Sequence, residues 1–133
     1  MVDIYTKPEL YDAIHQNYSY DKDLITSLAK KSGGPVLELA AGTGRLAKFI
    51  LDLGLDYTGI DISNSFLNRA IHKYGDQATF LHDDMRQFHL EQYFNFIFIF
   101  LEVCAYWLFF FKNKTFSIFD ISDNSKFNFF FFF

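Results

Sequence analysis

Residues 35–61 constrain the fold more than any other stretch of the chain. Pro35-Val36-Leu37-Glu38-Leu39 reads as a short buried strand, and Gly42-Thr43-Gly44 follow almost at once. Leu46, Phe49, Ile50 and Leu53 then recur at the i, i+3, i+4, i+7 spacing of an amphipathic helix, which Gly54 ends. Tyr57-Thr58-Gly59-Ile60-Asp61 is a second strand, closing on an acid. Two strands joined by a helix through short connections make a parallel crossover unit.

The unit then recurs. Ser63 is placed to cap a helix carrying Phe66, Leu67, Ala70, Ile71 and Tyr74, which Gly75 ends. A third strand, Ala78 to Leu81, runs into His82-Asp83-Asp84-Met85, and Phe94 to Phe100 is the continuous apolar run of a strand covered on both faces. Upstream, Asp21 is placed to cap a helix over 22–31, with Leu24, Ile25, Leu28 and Ala29 on one face and Gly33-Gly34 as its stop. Residues 8–17 set Leu10, Ala13, Ile14 and Asn17 at helical spacing behind Pro8. The organisation predicted is α/β: a doubly wound parallel sheet in spatial order 3-2-1-4, with helices on both faces.

Length and charge narrow the function. A chain of 133 residues, half of them hydrophobic, is one domain with enough apolar surface for a core. A formal net charge of −4 without a basic stripe argues against nucleic acid as the partner. One cysteine, Cys104, excludes an intrachain disulfide, and the four scattered histidines show no metal-ligand spacing. Ser63, Ser65 and Ser117 lack the glycine frame of a nucleophile elbow. The mixed, polar first 35 residues show no secretory leader, so a cytoplasmic setting is expected.

Chemistry concentrates in the glycine turn. Gly42-x-Gly44-x-x-Ala47 with Asp61 downstream fits the dinucleotide pattern formally, which leaves an NAD(P)-dependent oxidoreductase as the alternative. Glu38 points elsewhere. A carboxylate beside the turn gains nothing from a pyrophosphate, whereas a cationic ligand gains directly, and the sulfonium and ammonium of S-adenosyl-L-methionine are both cationic. Asp61 can accept both ribose hydroxyls, Asp84 can accept from the adenine amino group, and Ile62 with Met85 can sandwich the ring. Three acids at three successive strand ends converge on the crevice where such sheets bind ligands. Arg45 is read as facing solvent or a ligand carboxylate, and Asp83 as a solvated neighbour of Asp84, with a one-residue shift between the two acids as the alternative.

ELAAGTGRL at 38–46, YTGIDIS at 57–63 and HDDMRQF at 82–88 together resemble the class I S-adenosylmethionine-dependent methyltransferases of small-molecule type. LYDAIH and YSYDKD, over 10–23, resemble the helical N-terminal lid of that group. The resemblance covers residues 8–99 and implies a Rossmann-like sheet and transfer of a methyl group to a small-molecule acceptor. It puts Glu38 and Gly42 at the methionine end, Asp61 at the ribose, and Asp84 with Met85 at the adenine, with Ala40, Gly44 and Ile62 also among the cofactor-binding residues and Tyr11 or Tyr18 closing over the cofactor. Ala40 stands where the family has glycine, and Phe94-Asn95 where it has Phe-Asp. No catalytic base is assigned.

Composition breaks near residue 100. All seven glycines and both prolines precede residue 87, while residues 100–133 hold 12 of the 19 phenylalanines and end in five of them. Residues 101–133 are therefore set apart as a Phe-rich tail on a partial domain spanning 1–100. The tail reads either as an unusually aromatic native core segment or as A/T-rich codons translated out of frame or through an intron. Residues 96–111 are apolar apart from Glu102, but fall short of the roughly 20 residues of a bilayer span. On this reading no strand follows the fourth, a helix over 101–112 is conceivable, Phe94–Phe100 is left as an apolar sheet edge, and the truncated chain is aggregation-prone and inactive.

Overall fold

The computed structural model describes residues 6–17, 21–100 and 128–131. Along the chain run α1 (Pro8–His15), α2 (Lys22–Ser32), β1 (Val36–Leu39), α3 (Ala47–Leu51), β2 (Tyr57–Asp61), α4 (Asn64–Tyr74), β3 (Thr79–His82), β4 (Phe96–Ile99) and β5 (Asn128–Phe131). The strands form one parallel sheet in the order β3-β2-β1-β4-β5. β1 is central, with Val36 level with Tyr57 on one side and Phe96 on the other. The predicted order 3-2-1-4 holds.

The fifth strand departs from expectation. Asn128–Phe131 pairs in parallel with Phe96–Ile99, so β4 is flanked on both sides and is not the edge. A strand in that position needs only four residues with free main-chain groups, and a phenylalanine run suits extended backbone. The conceivable helix over 101–112 lies outside the described residues, as do Cys104, Ser117, Tyr18 and most of the apolar segment 96–111.

Alternation along the strands splits the core into two layers. Val36, Tyr57, Phe96 and Phe98 face one side, where Ile25 and Ala29 of α2, Ala47 and Ile50 of α3, and Tyr74 of α4 pack over them. Leu37, Leu39, Ile60, Ile97 and Ile99 face the other, covered by Met85, Phe88, Leu90 and Phe94. That second cover comes from the segment between β3 and β4, which holds turns and no helix. Among the described residues the helices α2, α3 and α4 thus gather on one face rather than both. Asn95 earns its place against the family's aspartate: its side-chain amide donates to the Gly34 carbonyl at 2.7 Å, which a carboxylate could not do.

Local signals worked best at helix ends. The Ser63 hydroxyl accepts from the Phe66 N–H at 3.4 Å, and Gly75, at φ +54°, stops α4. Asp21 does not cap α2; its carboxylate turns instead to Arg45, whose guanidinium donates to it at 2.5 Å. Arg45 therefore faces neither solvent nor a ligand: its side chain is mostly buried and also lies over the Phe100 ring. Leu24 and Ile71, predicted for buried faces, are exposed. In α1 the roles are inverted, with Leu10 and Ile14 outward and His15 buried.

Candidate functional site

The carboxyl ends of β1, β2 and β3 meet a loop folded by its own main chain. The Ala41 N–H reaches across to the Ile60 carbonyl at 2.9 Å, and the Gly44 N–H returns to the Ala41 carbonyl at 3.0 Å. Gly44 sits at φ +72°, and a Cβ there would fall 3.0 Å from the Phe80 and Tyr74 rings, so any side chain would be strained and would need those rings to give way. Its carbonyl accepts the Tyr74 hydroxyl at 2.7 Å. Gly59 is needed for a different reason: a Cβ on it would lie 2.7 Å from the Ala41 side chain, where the loop crosses β2. Ala40 occupies the left-handed region at φ +56°, a conformation in which the family's glycine would be unstrained.

Asp61, the last residue of β2, organises this loop. One carboxylate oxygen accepts the Gly42 N–H at 2.8 Å and the other accepts the Ser63 N–H at 2.8 Å. A carboxylate offers about four lone-pair positions, so each oxygen keeps one for a further donor. Beside it opens a cavity of about 250 Å³. Ala40, Gly42 and Asp61 line it together with Ile60, Ile62, Asp83, Asp84, Met85 and Arg86; Ser63 and Phe66 of α4 and Tyr11 of α1 complete the wall. Seven of the nine residues singled out in the sequence, Tyr11, Ala40, Gly42, Asp61, Ile62, Asp84 and Met85, are brought together here.

Ile62 is 65% exposed, an unusual position for isoleucine, and it faces the same cavity as the buried Met85. Asp84 is already engaged. Arg86 donates through Nε to both its oxygens at 2.8 Å and through Nη2 to one of them, and this pair holds the Asp84 carboxyl below the usual carboxylate range. Asp83 accepts the Asp84 N–H at 2.8 Å and lines the cavity as well, so both acids face it.

Glu38 and Gly44 do not line the cavity. Glu38 is 3% exposed on the helix-covered face, where it accepts the Tyr57 hydroxyl at 2.5 Å. Burial drives its pKa up to about 8, against a smaller opposing effect of the Tyr57 hydrogen bond and of Arg45. Burial therefore favours its protonated form. The cation contact expected of it in the sequence is not formed through the cavity wall, where Glu38 does not appear.

Asp12 was not singled out in the sequence. Its carboxylate accepts the Thr43 hydroxyl at 2.5 Å, Arg69 Nε at 3.0 Å and Lys73 Nζ at 3.0 Å, tying α1 to the glycine loop and α4. Only its place next to Tyr11 could have drawn attention to it. Phe66, read as core, also serves the site: the Tyr11 ring packs against it with centroids 5.0 Å apart. Among the described residues no group of three His, Cys, Asp or Glu could hold a metal, and no helix is long and apolar enough to cross a membrane.

The comparisons with known proteins agree with this geometry. The family described as methyltransferase domain matches residues 36–113, which include β1 to β4, the loop and the cavity's acids, and extend past residue 99. An uncharacterized methyltransferase of Geobacillus sp. (strain WCH70) is 35% identical over 82 residues, covering 62% of this chain and 37% of that protein. The chain spans about a third of the length of the curated relatives it matches. Among solved structures, the glycopeptide N-methyltransferase MtfA complexed with S-adenosyl-L-methionine is 33% identical with TM-score 0.54, over 62% of this chain and 41% of that one. DesVI of Streptomyces venezuelae, 23% identical with TM-score 0.62 over 80% of this chain and 46% of its own, shares the fold. Matched across more than half its length, over the strands and loop that build the cleft, this chain belongs to the class I S-adenosylmethionine-dependent methyltransferase family.

Proposed function

We propose that the cleft between α1 and the carboxyl ends of β1–β3 binds S-adenosyl-L-methionine, for methyl transfer to a small-molecule acceptor. The observation that carries this reading is the cavity's charge and surface together. Among the described residues Asp61, Asp83 and Asp84 face it against one cation, Arg86, which is spent on Asp84. That excess suits a cationic ligand and opposes a pyrophosphate, so the oxidoreductase reading finds no support here. Ile62 and Met85 offer apolar surface for a flat ring, and the spare lone pairs of Asp61 suit a pair of vicinal hydroxyls.

S-adenosyl-L-methionine, when bound, supplies a methyl on a sulfonium that is already an activated leaving group. The chain's task is then placement. Asp61 fixes the ribose end, while Ala40 and Gly42 bring main chain close to the ligand. Asp83 and Asp84 receive donors at the ring end, and Tyr11 with Phe66 closes the open side against water. Glu38 and Gly44 act from beneath by holding strand and loop in shape. The acceptor is proposed to be small, as in the family resemblance; MtfA, a neighbour in fold, is named for a glycopeptide.

Titration of the full chain with S-adenosyl-L-methionine and separately with NAD, followed by calorimetry and thermal melting, tests the assignment. Only the first is expected to bind and raise the melting temperature. Protection by NAD alone would reverse it.

A further inference from the structure

We propose that Asp12 is the latch of a lid, holding α1 across the cleft so that Tyr11 stays over the pocket and a ligand leaves when this contact opens. The ligand's identity rests on the function proposed above; the latch does not.

Three elements that border the cavity meet at this one carboxylate. Asp12 follows Tyr11, which lines the cavity from α1. One oxygen accepts the hydroxyl of Thr43, a fully buried residue between Gly42 and Gly44, at 2.5 Å, and Lys73 Nζ at 3.0 Å. The other accepts Arg69 Nε at 3.0 Å. Both cations come from α4, the helix that also supplies Phe66 to the cavity wall. Loop, lid and wall are thus joined by charge-assisted bonds, which are roughly twice as strong as neutral ones.

The apolar attachment of α1 is thin by comparison. Among the described residues Leu10 is 39% and Ile14 54% exposed, while the Tyr11 ring packs against Phe66 and His15 is buried. A helix of eight residues does not persist in water without tertiary support. Removing the carboxylate would also leave the Thr43 hydroxyl buried without its acceptor. The same hydrogen bonds outweigh the burial of Asp12 and keep its carboxyl ionised below the usual range, so the latch is charged at neutral pH.

Amide hydrogen exchange on the full ligand-free chain reads the latch directly. Asp12→Ala should speed exchange over residues 8–15 about tenfold or more, while residues 36–39 and 57–61 keep their rates. Arg69→Ala and Lys73→Ala, which cut partners at the protein's rim, should each give a smaller rise of a few fold. With S-adenosyl-L-methionine as probe, Asp12→Ala should raise the dissociation rate about tenfold with little change in association. Tyr11→Ala added to Asp12→Ala should then add little, because both act through the same closure. Unchanged exchange in α1 would overturn the latch, and so would equal loosening of β1 and β2, since Asp12 would then be a general stabiliser. A loosened α1 with an unchanged dissociation rate would overturn the lid. If the wild-type chain binds no S-adenosyl-L-methionine, the cofactor reading falls and the exchange data alone decide the latch.

Discussion

Glu38 and Asp61 are acids on neighbouring parallel strands, and the fold gives them opposite fates. Asp61 is the last residue of β2, where both its oxygens meet main-chain N–H groups and one side remains open to the cavity. Glu38 is level with Gly59, two rungs earlier, so it sits about 7 Å deeper along the sheet. That offset is the difference between a wet strand end and a dry helix-covered face. The first position leaves a carboxylate facing the cavity; in the second, burial pushes the carboxyl's pKa up and turns it to Tyr57. An acid's chemistry in this sheet is set by its depth along the strand.

The largest expected effect tests the dry end of the comparison. Glu38 titrates at about 8 in the folded chain and near the ordinary glutamate value when unfolded. Between those values the folded state holds a proton that the unfolded state has released. Stability is therefore greatest below the ordinary glutamate value, declines as pH rises, and levels off above about 8. Denaturant titrations at several pH values should show a decline on the order of several kcal/mol, and Glu38→Gln should remove most of that slope. A wild-type slope surviving in Glu38→Gln would assign the effect to another group.

The wet end should respond in binding. Asp61→Ala is expected to weaken S-adenosyl-L-methionine by about 1.5–3 kcal/mol, the scale of hydrogen bonds to a charged group, measured by calorimetry. Because Asp61 also holds Gly42 and Ser63, Asp61→Asn, which keeps one acceptor oxygen, should lose less. Equal affinity of wild type and Asp61→Ala would show that the ribose does not bind there. The smallest effect lies at the loop between them. Ala40→Gly relieves a left-handed alanine and adds backbone freedom to the unfolded chain, so it should stabilise by no more than about 1 kcal/mol. A loss of stability in thermal melts would mean that the Ala40 methyl contributes packing at the cavity wall.

The sequence by itself determined whatever depends on near neighbours. Strand–helix alternation, the glycine loop, the Ser63 cap and the Gly75 stop are written in periodicities and caps within a few residues, because backbone hydrogen bonding and side-chain direction are local. The acid at the end of β2 was legible for the same reason: Asp61 closes a short strand directly before the Ser63 cap. Only the tertiary structure decided which helix faces were buried, since Leu24, Ile71, Leu10 and Ile14 lie at helical spacing yet point outward. It also decided that Asp21 would bind Arg45 instead of capping α2, and that Asn128–Phe131 would pair beside β4. The roles of Glu38 and Asp12 belong with these. Burial and pairing depend on groups brought close from distant parts of the chain, 19 residues away for Tyr57 and 61 for Lys73, and no local pattern records them.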